Sequence, residues 1–487
     1  MLRPVSVLLV LVPALALGDY MDHFAQRDDV GPRKVPYLGD ARLLLIPVEV
    51  KGFPPFDRAR LEQFFSPDDA NGFVHYFEVA SLGRYRPRVT VGPTLSYERC
   101  PLPEAQFPGC RIARGDINAL TGGMDMLREA VRKTDEAGVD FTAFDVNGRA
   151  GAPDRWADGV MLLTNVPFGG IAFPFAYFNQ GTPIVADGVR IPHLAIAGDS
   201  DLFVMIHEFG HLLGLTDLYD ETQRYAGLHL SFMGSWGYDP KVVLPDAETR
   251  WRLRWANWIQ VQGRQRLTLK PVETSGQIAR VGVGDEYFLV ENRGPGEFDQ
   301  HLGVRGLAVF HIDRGVKSVT AQGSFPKLGA KEGDFVNRTL DCVNCDAWHP
   351  YTRLVQADGA FELEAYKPFR AADDLFRPGT SLLNDPSSSI RSPSNPVNAS
   401  NLYSGQPSGF ALNDVRLLSD GSIEVTLDAP PAGQCEERLC PEGEACAPVQ
   451  CGEPPPKTGC AAAGVEPAAA ALLLLLLEQG LRRRQRR

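Results

Sequence analysis

The stretch DLFVMIHEFGHLLGLTD (residues 201–217) decides how the fold is read. Leu202, Phe203, Ile206, Phe209, Leu212 and Leu213 recur at helical spacing, so Asp201 to Leu213 is expected to form a buried helix. Asp199 or Ser200 can cap its start, Asp201 suits the positive end of its dipole, and Gly214 stands where helices end. His207 and His211 are four residues apart and therefore leave the helix on one face, one turn apart. Two imidazoles so placed can share a zinc ion. Glu208, one residue after the first, can reach a water on that ion and act as general base. Zinc brings the pKa of such a water down to roughly 7, which is hydrolytic machinery with no need of an organic cofactor.

Zinc in a catalytic site takes three protein ligands and keeps one position open. Gly214 tolerates a left-handed backbone and lets the chain reverse, so that Asp217 can point back at the same ion. Asp217 is the expected third ligand, by spacing; Asp220, Glu221, His229 and Glu248 are the alternatives. The bland reading of HExxH is a helix with two structurally satisfied histidines. Against it stand the apolar helix, the hinge glycine and the following carboxylate. Downstream, the small-residue turn SFMGSWG (residues 231–237) carries Met233, whose flexible thioether adapts to irregular gaps. Tyr219 and Tyr238 are candidates, by residue type and proximity, to donate a hydrogen bond to a tetrahedral intermediate.

Working outward, LLLIPVEV (residues 43–50) and RVTV (residues 88–91) have strand length, and residues 56–65 carry apolar residues at helical spacing. Gly123 to Gly138 is expected to be an amphipathic helix and GVMLL (residues 159–163) a buried strand; that order suggests an α/β layer. Beyond about residue 260 short strands dominate: 266–269, 287–290, 307–310 and 423–427. The expected fold class is α+β, with a catalytic domain over 41–258 and a β-rich, sandwich-like domain over 259–430.

With 487 residues the chain exceeds what one core supports. A net charge of -11 argues against a nucleic-acid partner, which needs a basic face. Residues 1–18 read as a signal peptide: Arg3, a short apolar run, then Ala16-Leu17-Gly18. A short segment, 19–40, separates it from the first strand. Export makes disulfides plausible among the nine cysteines, with Cys100 and Cys110, Cys342 and Cys345, and the 435–451 cluster close in sequence and Cys460 left over. A Cys/Pro-rich linker covers 431–459. The tail, 460–487, joins an apolar run of only ten residues to an arginine cluster; the run is marginal for spanning a membrane, and a terminal transmembrane helix is the alternative to a cleaved sorting signal.

With these residues in hand, 40–430 resembles the immune inhibitor A-like secreted metallopeptidases. The likeness rests on HEFGHLLGLTDLYD (207–220) and SFMGSW (231–236), supported by YFLVENR (287–293), GLAVFHID (306–313), VQADG (355–359) and HYFEVASLG (75–83). It implies a metzincin-like zinc fold, broad endopeptidase activity on extracellular proteins, zinc on His207, His211 and Asp217, Glu208 as base, and structural calcium besides. In metzincins a methionine turn floors the zinc ligands, a place Met233 would take; histidine is the better-known third ligand there, where this chain has Asp217. Asp140, Asp145, Asp154 and Asp158 form the acidic run nearest to a calcium loop, a sparse one that a solvated turn also explains. The tail from Thr458-Gly459-Cys460 resembles a MYXO-CTERM-type sorting signal, which implies processing near Cys460, lipid there as a hypothesis, and retention at the outer surface. The expected function is therefore a secreted or surface-anchored zinc endopeptidase with protein or peptide substrates, touching a membrane only through its tail. The rival is a surface adhesion or binding protein whose zinc is structural or whose activity is lost.

Overall fold

The computed structural model describes residues 35–97, 128–147, 152–165, 170–173, 184–191, 194–198, 202–219, 228–234, 242–316, 319–326, 335–344, 346, 348–365, 367–382, 400–430, 436–437 and 449–450. The signal segment, the tail with Cys460, Asp199, Ser200, Asp201, Asp220, Glu221, Tyr238 and every cysteine side chain lie outside them. The chain divides into two units, Met1–Pro431 and Ala432–Arg487. In the second, Glu436–Glu437 pairs antiparallel with Val449–Gln450. Among the described residues no helix is long and apolar enough to cross a membrane.

The first unit mixes helices and several sheets. Its strands open with β1 (Gly39–Val50), β2 (Tyr85–Val91), β3 (Leu95–Tyr97), β4 (Val160–Thr164) and β5 (Gly170–Phe173). A hairpin of β6 (Ile184–Ala186) and β7 (Val189–Ile191) precedes β8 (Leu194–Gly198). The first sheet runs β2-β1-β4-β8-β5, with β3 also on β1. Its pairings are parallel except that β5 joins β8 antiparallel. Both faces are covered, which is why LLLIPV reads as a continuous apolar run. Leu43 and Leu45 enter one core with Phe209 and Phe77; Leu44, Ile46 and Val48 enter another with Val131 and Phe141. Residues 128–136 are helical, within the expected amphipathic helix. HYFEVASLG, noted in the sequence only for its family likeness, contributes to a helix over Phe73–Ala80.

The second half is built on β9 (Asn257–Gln260), β10 (Arg264–Leu269), β11 (Gln277–Val283), β12 (Glu286–Arg293) and β13 (Gly306–Asp313). After a hairpin of β14 (Val319–Pro326) and β15 (Phe335–Cys342) come β16 (Thr352–Leu354), β17 (Ala411–Leu417) and β18 (Ile423–Asp428). One sheet runs β16-β13-β12-β11-β9 and another β10-β18-β17. The five-stranded sheet uses the two-residue period of strands to serve two cores. Tyr287, Leu289, Ala308 and Phe310 face the core that also holds Ile206 and Phe209. Phe288, Val290, Leu307 and Val309 pack with Val425 and Leu427.

The acidic run around residue 145 closes a loop with its own backbone. Asp158 accepts from the amides of Arg42 and Asn147 at 2.9 and 3.1 Å, and Asp145 from those of Asp154 and Arg155 at 2.8 and 2.7 Å. No metal-type grouping forms there among the described residues. Burial pushes Asp158 up to about 6, against the pull of those amides. Its folded pKa is thus above the unfolded value. The associated stability is fully present at low pH and is lost as pH rises through 6. Asp158→Asn is expected to flatten the fall in unfolding free energy between about pH 4 and 6. Urea titrations across that range check it, and an unchanged slope would refute it.

Candidate metal centre

The site helix, Leu202–Leu212, follows β8 and buries nearly every side chain. Phe209 meets Phe73 and Phe77 edge-on at ring distances of 5.3 and 5.2 Å, which ties the helix to Phe73–Ala80. The helix ends as its sequence suggests. Gly214 takes φ 89°, its amide donates to His211 at 2.9 Å, and Leu215 donates to Gly210 at 3.1 Å. A positive φ there turns the chain back toward the histidines.

His207 and His211 present rings with centres 4.9 Å apart and planes nearly perpendicular, at 88°. Each Nδ1 faces a carbonyl: Phe232 O at 2.9 Å for His207, Leu215 O at 3.0 Å for His211. A carbonyl only accepts, so each Nδ1 carries a proton, and Nε2 is the ring nitrogen left facing Asp217. Asp217 Oδ1 lies 3.1 Å from His207 Nε2 and 3.6 Å from His211 Nε2. Ligands at the zinc distances of about 2.0–2.1 Å around a tetrahedral ion stand about 3.3 Å from one another. The two-nitrogen, one-oxygen donor set therefore fits zinc in chemistry and in spacing. Glu208 is fully buried on the same helix, and Tyr219 stacks on His207 with ring centres 6.0 Å apart.

The two alternatives that lie among the described residues, Glu248 and His229, are not in this group. Glu248 is buried elsewhere, where it accepts the hydroxyls of Tyr287 and Tyr351 at 2.8 Å each, and burial raises its pKa. His229 instead lies parallel to Phe369, with ring centres 6.3 Å apart. Asp220 and Glu221 lie outside the described residues.

Met233 sits in a tight turn pressed against the site helix. Leu218 donates to Met233 O at 2.8 Å, which aligns the Asp217 segment with the turn. A Cβ at Gly210 would stand 2.5 Å from Met233 Sδ and 2.6 Å from the Phe232 ring. The glycine of HEFGH therefore permits this close approach. Gly210→Ala is expected to cost about 1–3 kcal/mol by overpacking. Met233→Ala in that background should return part of the loss. Denaturation midpoints of the two variants measure this, and a neutral Gly210→Ala would be the contrary result.

Sequence reasoning missed what holds the turn. Arg293, at the end of β12, is fully buried and donates to the carbonyls of Leu230, Pro245 and Leu244 at 3.3, 2.9 and 3.2 Å. Glu291 at 3.0 Å and Asp299 at 2.9 Å balance its charge. The signal was visible as two charges two residues apart inside the apolar run YFLVENR, both on one face of a strand.

No protein-family model matches this chain, and no curated protein matches it.

Proposed function

We propose that the protein is an exported zinc-dependent endopeptidase acting on extracellular proteins or peptides. The observation that carries this reading is the convergence of His207 Nε2, His211 Nε2 and an Asp217 oxygen within 4.8 Å, with Glu208 buried beside them. Zinc bound there would supply a Lewis acid that makes water nucleophilic near neutral pH. Glu208 takes the proton released by the attacking water and passes it to the leaving amine nitrogen as the C–N bond breaks. Tyr219 is the described candidate to steady the developing oxyanion; Tyr238 is the other. The Phe232 and Leu215 carbonyls hold both imidazoles in the tautomer that leaves Nε2 to the ion.

The glycine reversal before Asp217 and the Met233 turn under Gly210 support a metzincin-like catalytic part over 41–258 and kinship with immune inhibitor A-like peptidases. The core shared by the five-stranded and three-stranded sheets supports a sandwich-like part over 259–430. Export, and anchorage through a tail processed near Cys460, rest on the sequence.

One observation favours the rival, a binding protein with structural zinc: His207, Glu208 and His211 are closed to solvent. A structural site, however, takes four protein ligands, and only three are grouped here among the described residues. Casein hydrolysis by the purified protein, with and without a zinc chelator, separates the two. Zinc-bound protein without chelator-sensitive hydrolysis would establish the rival.

A further inference from the structure

The histidine centre is gripped from outside its own segment. Asn344 lies two residues beyond β15, in the loop that leads to β16, and is fully buried. Its Nδ2 donates to Leu218 O at 3.0 Å, across 126 residues of chain, and to Thr352 O at 3.2 Å. Its Oδ1 accepts the Thr352 amide at 3.2 Å. Both amide hydrogens and the amide oxygen are therefore engaged, and the opposite setting of the carboxamide would turn its oxygen on two carbonyls.

Closure of the loop accounts for only part of this. The two bonds with Thr352, and the Tyr351 amide donating to Val343 O at 3.1 Å, dock the turn on the start of β16. The bond to Leu218 adds nothing to that closure. It goes to the peptide group that joins Leu218 to Tyr219, between the third donor of the centre and the ring stacked on His207. Residues 215–218 belong to no helix or strand, so individual hydrogen bonds place them. Leu218 is held twice more, its amide donating to Met233 O at 2.8 Å and its carbonyl accepting from Leu228 at 3.2 Å. Val343 shares a core with Leu218 and Met233.

We propose that Asn344 is a positioning residue of the metal centre: by holding the Leu218 carbonyl it fixes where Asp217 presents its carboxylate to the ion. Arg293 grips the methionine turn from β12 and Asn344 grips the ligand-bearing segment, so the β-rich half completes the centre from both. The inference rests on the zinc reading of His207, His211 and Asp217, and stands whether or not the protein hydrolyses peptides.

The test uses the full chain with cobalt(II) in place of zinc, because its visible spectrum reports the ligands and geometry around the ion. Asn344→Ala removes all three bonds. Asn292→Ala is the matched control: that amide is also fully buried, donates to Leu269 O at 2.8 Å and Gly421 O at 2.9 Å, and accepts from Arg305 at 3.2 Å, all within the second half. Both variants are expected to melt below wild type. Only Asn344→Ala is expected to alter the cobalt spectrum and to weaken zinc binding, in competition with a chromogenic chelator, by at least about tenfold, the lower end of what partners behind metal ligands contribute. Asn344→Ser keeps one short donor and should move both readouts in the same direction; it carries the test if the alanine variant does not fold. A wild-type spectrum and zinc affinity in the Asn344 variants, or equal losses in Asn292→Ala, would overturn the proposal alone. Absence of cobalt and zinc binding in wild type would overturn it together with the zinc reading.

Discussion

Glu208→Gln is expected to lower kcat for peptide hydrolysis by about 10²–10⁴-fold, the usual contribution of a positioned general base. Glutamine keeps the volume of the fully buried side chain but cannot accept the water's proton. The proposed zinc ligands His207, His211 and Asp217 are untouched, so the variant should bind as much zinc as wild type and melt close to it. The pairing of lost turnover with retained metal is the diagnostic. Zinc analysis and hydrolysis on the same preparation measure both. If the variant kept wild-type turnover, Glu208 would not be the base.

Arg293→Met is expected to produce the largest loss of stability, about 3–5 kcal/mol, the cost of breaking a buried ion pair by removing one partner. The guanidinium is fully buried and meets Asp299 through Nε at 2.9 Å and Nη2 at 3.0 Å, with Glu291 at 3.0 Å. Burial works against its charge, yet Asp299 and Glu291 hold its pKa above the ordinary guanidinium range. Methionine would leave two carboxylates enclosed without their cation. The loss should also reach the proposed metal centre, since Arg293 holds Leu230 O and Phe232, two residues later, orients His207. A shifted denaturation midpoint together with faster zinc release to a chelator is the expected result. A midpoint within about 1 kcal/mol of wild type would contradict the network's role.

Local chemistry makes much of the centre legible in the chain itself. A helix period places His207 and His211 on one face, and a glycine after a helix allows the reversal that returns Asp217. Both are properties of a few consecutive residues, and the strands over 43–50 and 159–163 are readable for the same reason. Partners distant in the chain are not. Asp217 is distinguished from Glu248 only because Tyr287 and Tyr351, far along the chain, claim the latter. Asn344 meets Leu218 only through the fold of the second half.

The amino-acid sequence alone thus determined the site helix, its two histidines with the adjacent carboxylate, and the mixed helix-and-strand character of the chain, because these follow from residue spacing and backbone preference. Tertiary structure alone decided which carboxylate meets the imidazoles, which carbonyls set their tautomers, and that a strand-end arginine holds the methionine turn in place. Those outcomes depend on packing between segments tens of residues apart, where burial and hydrogen-bond satisfaction, rather than local periodicity, select the partner.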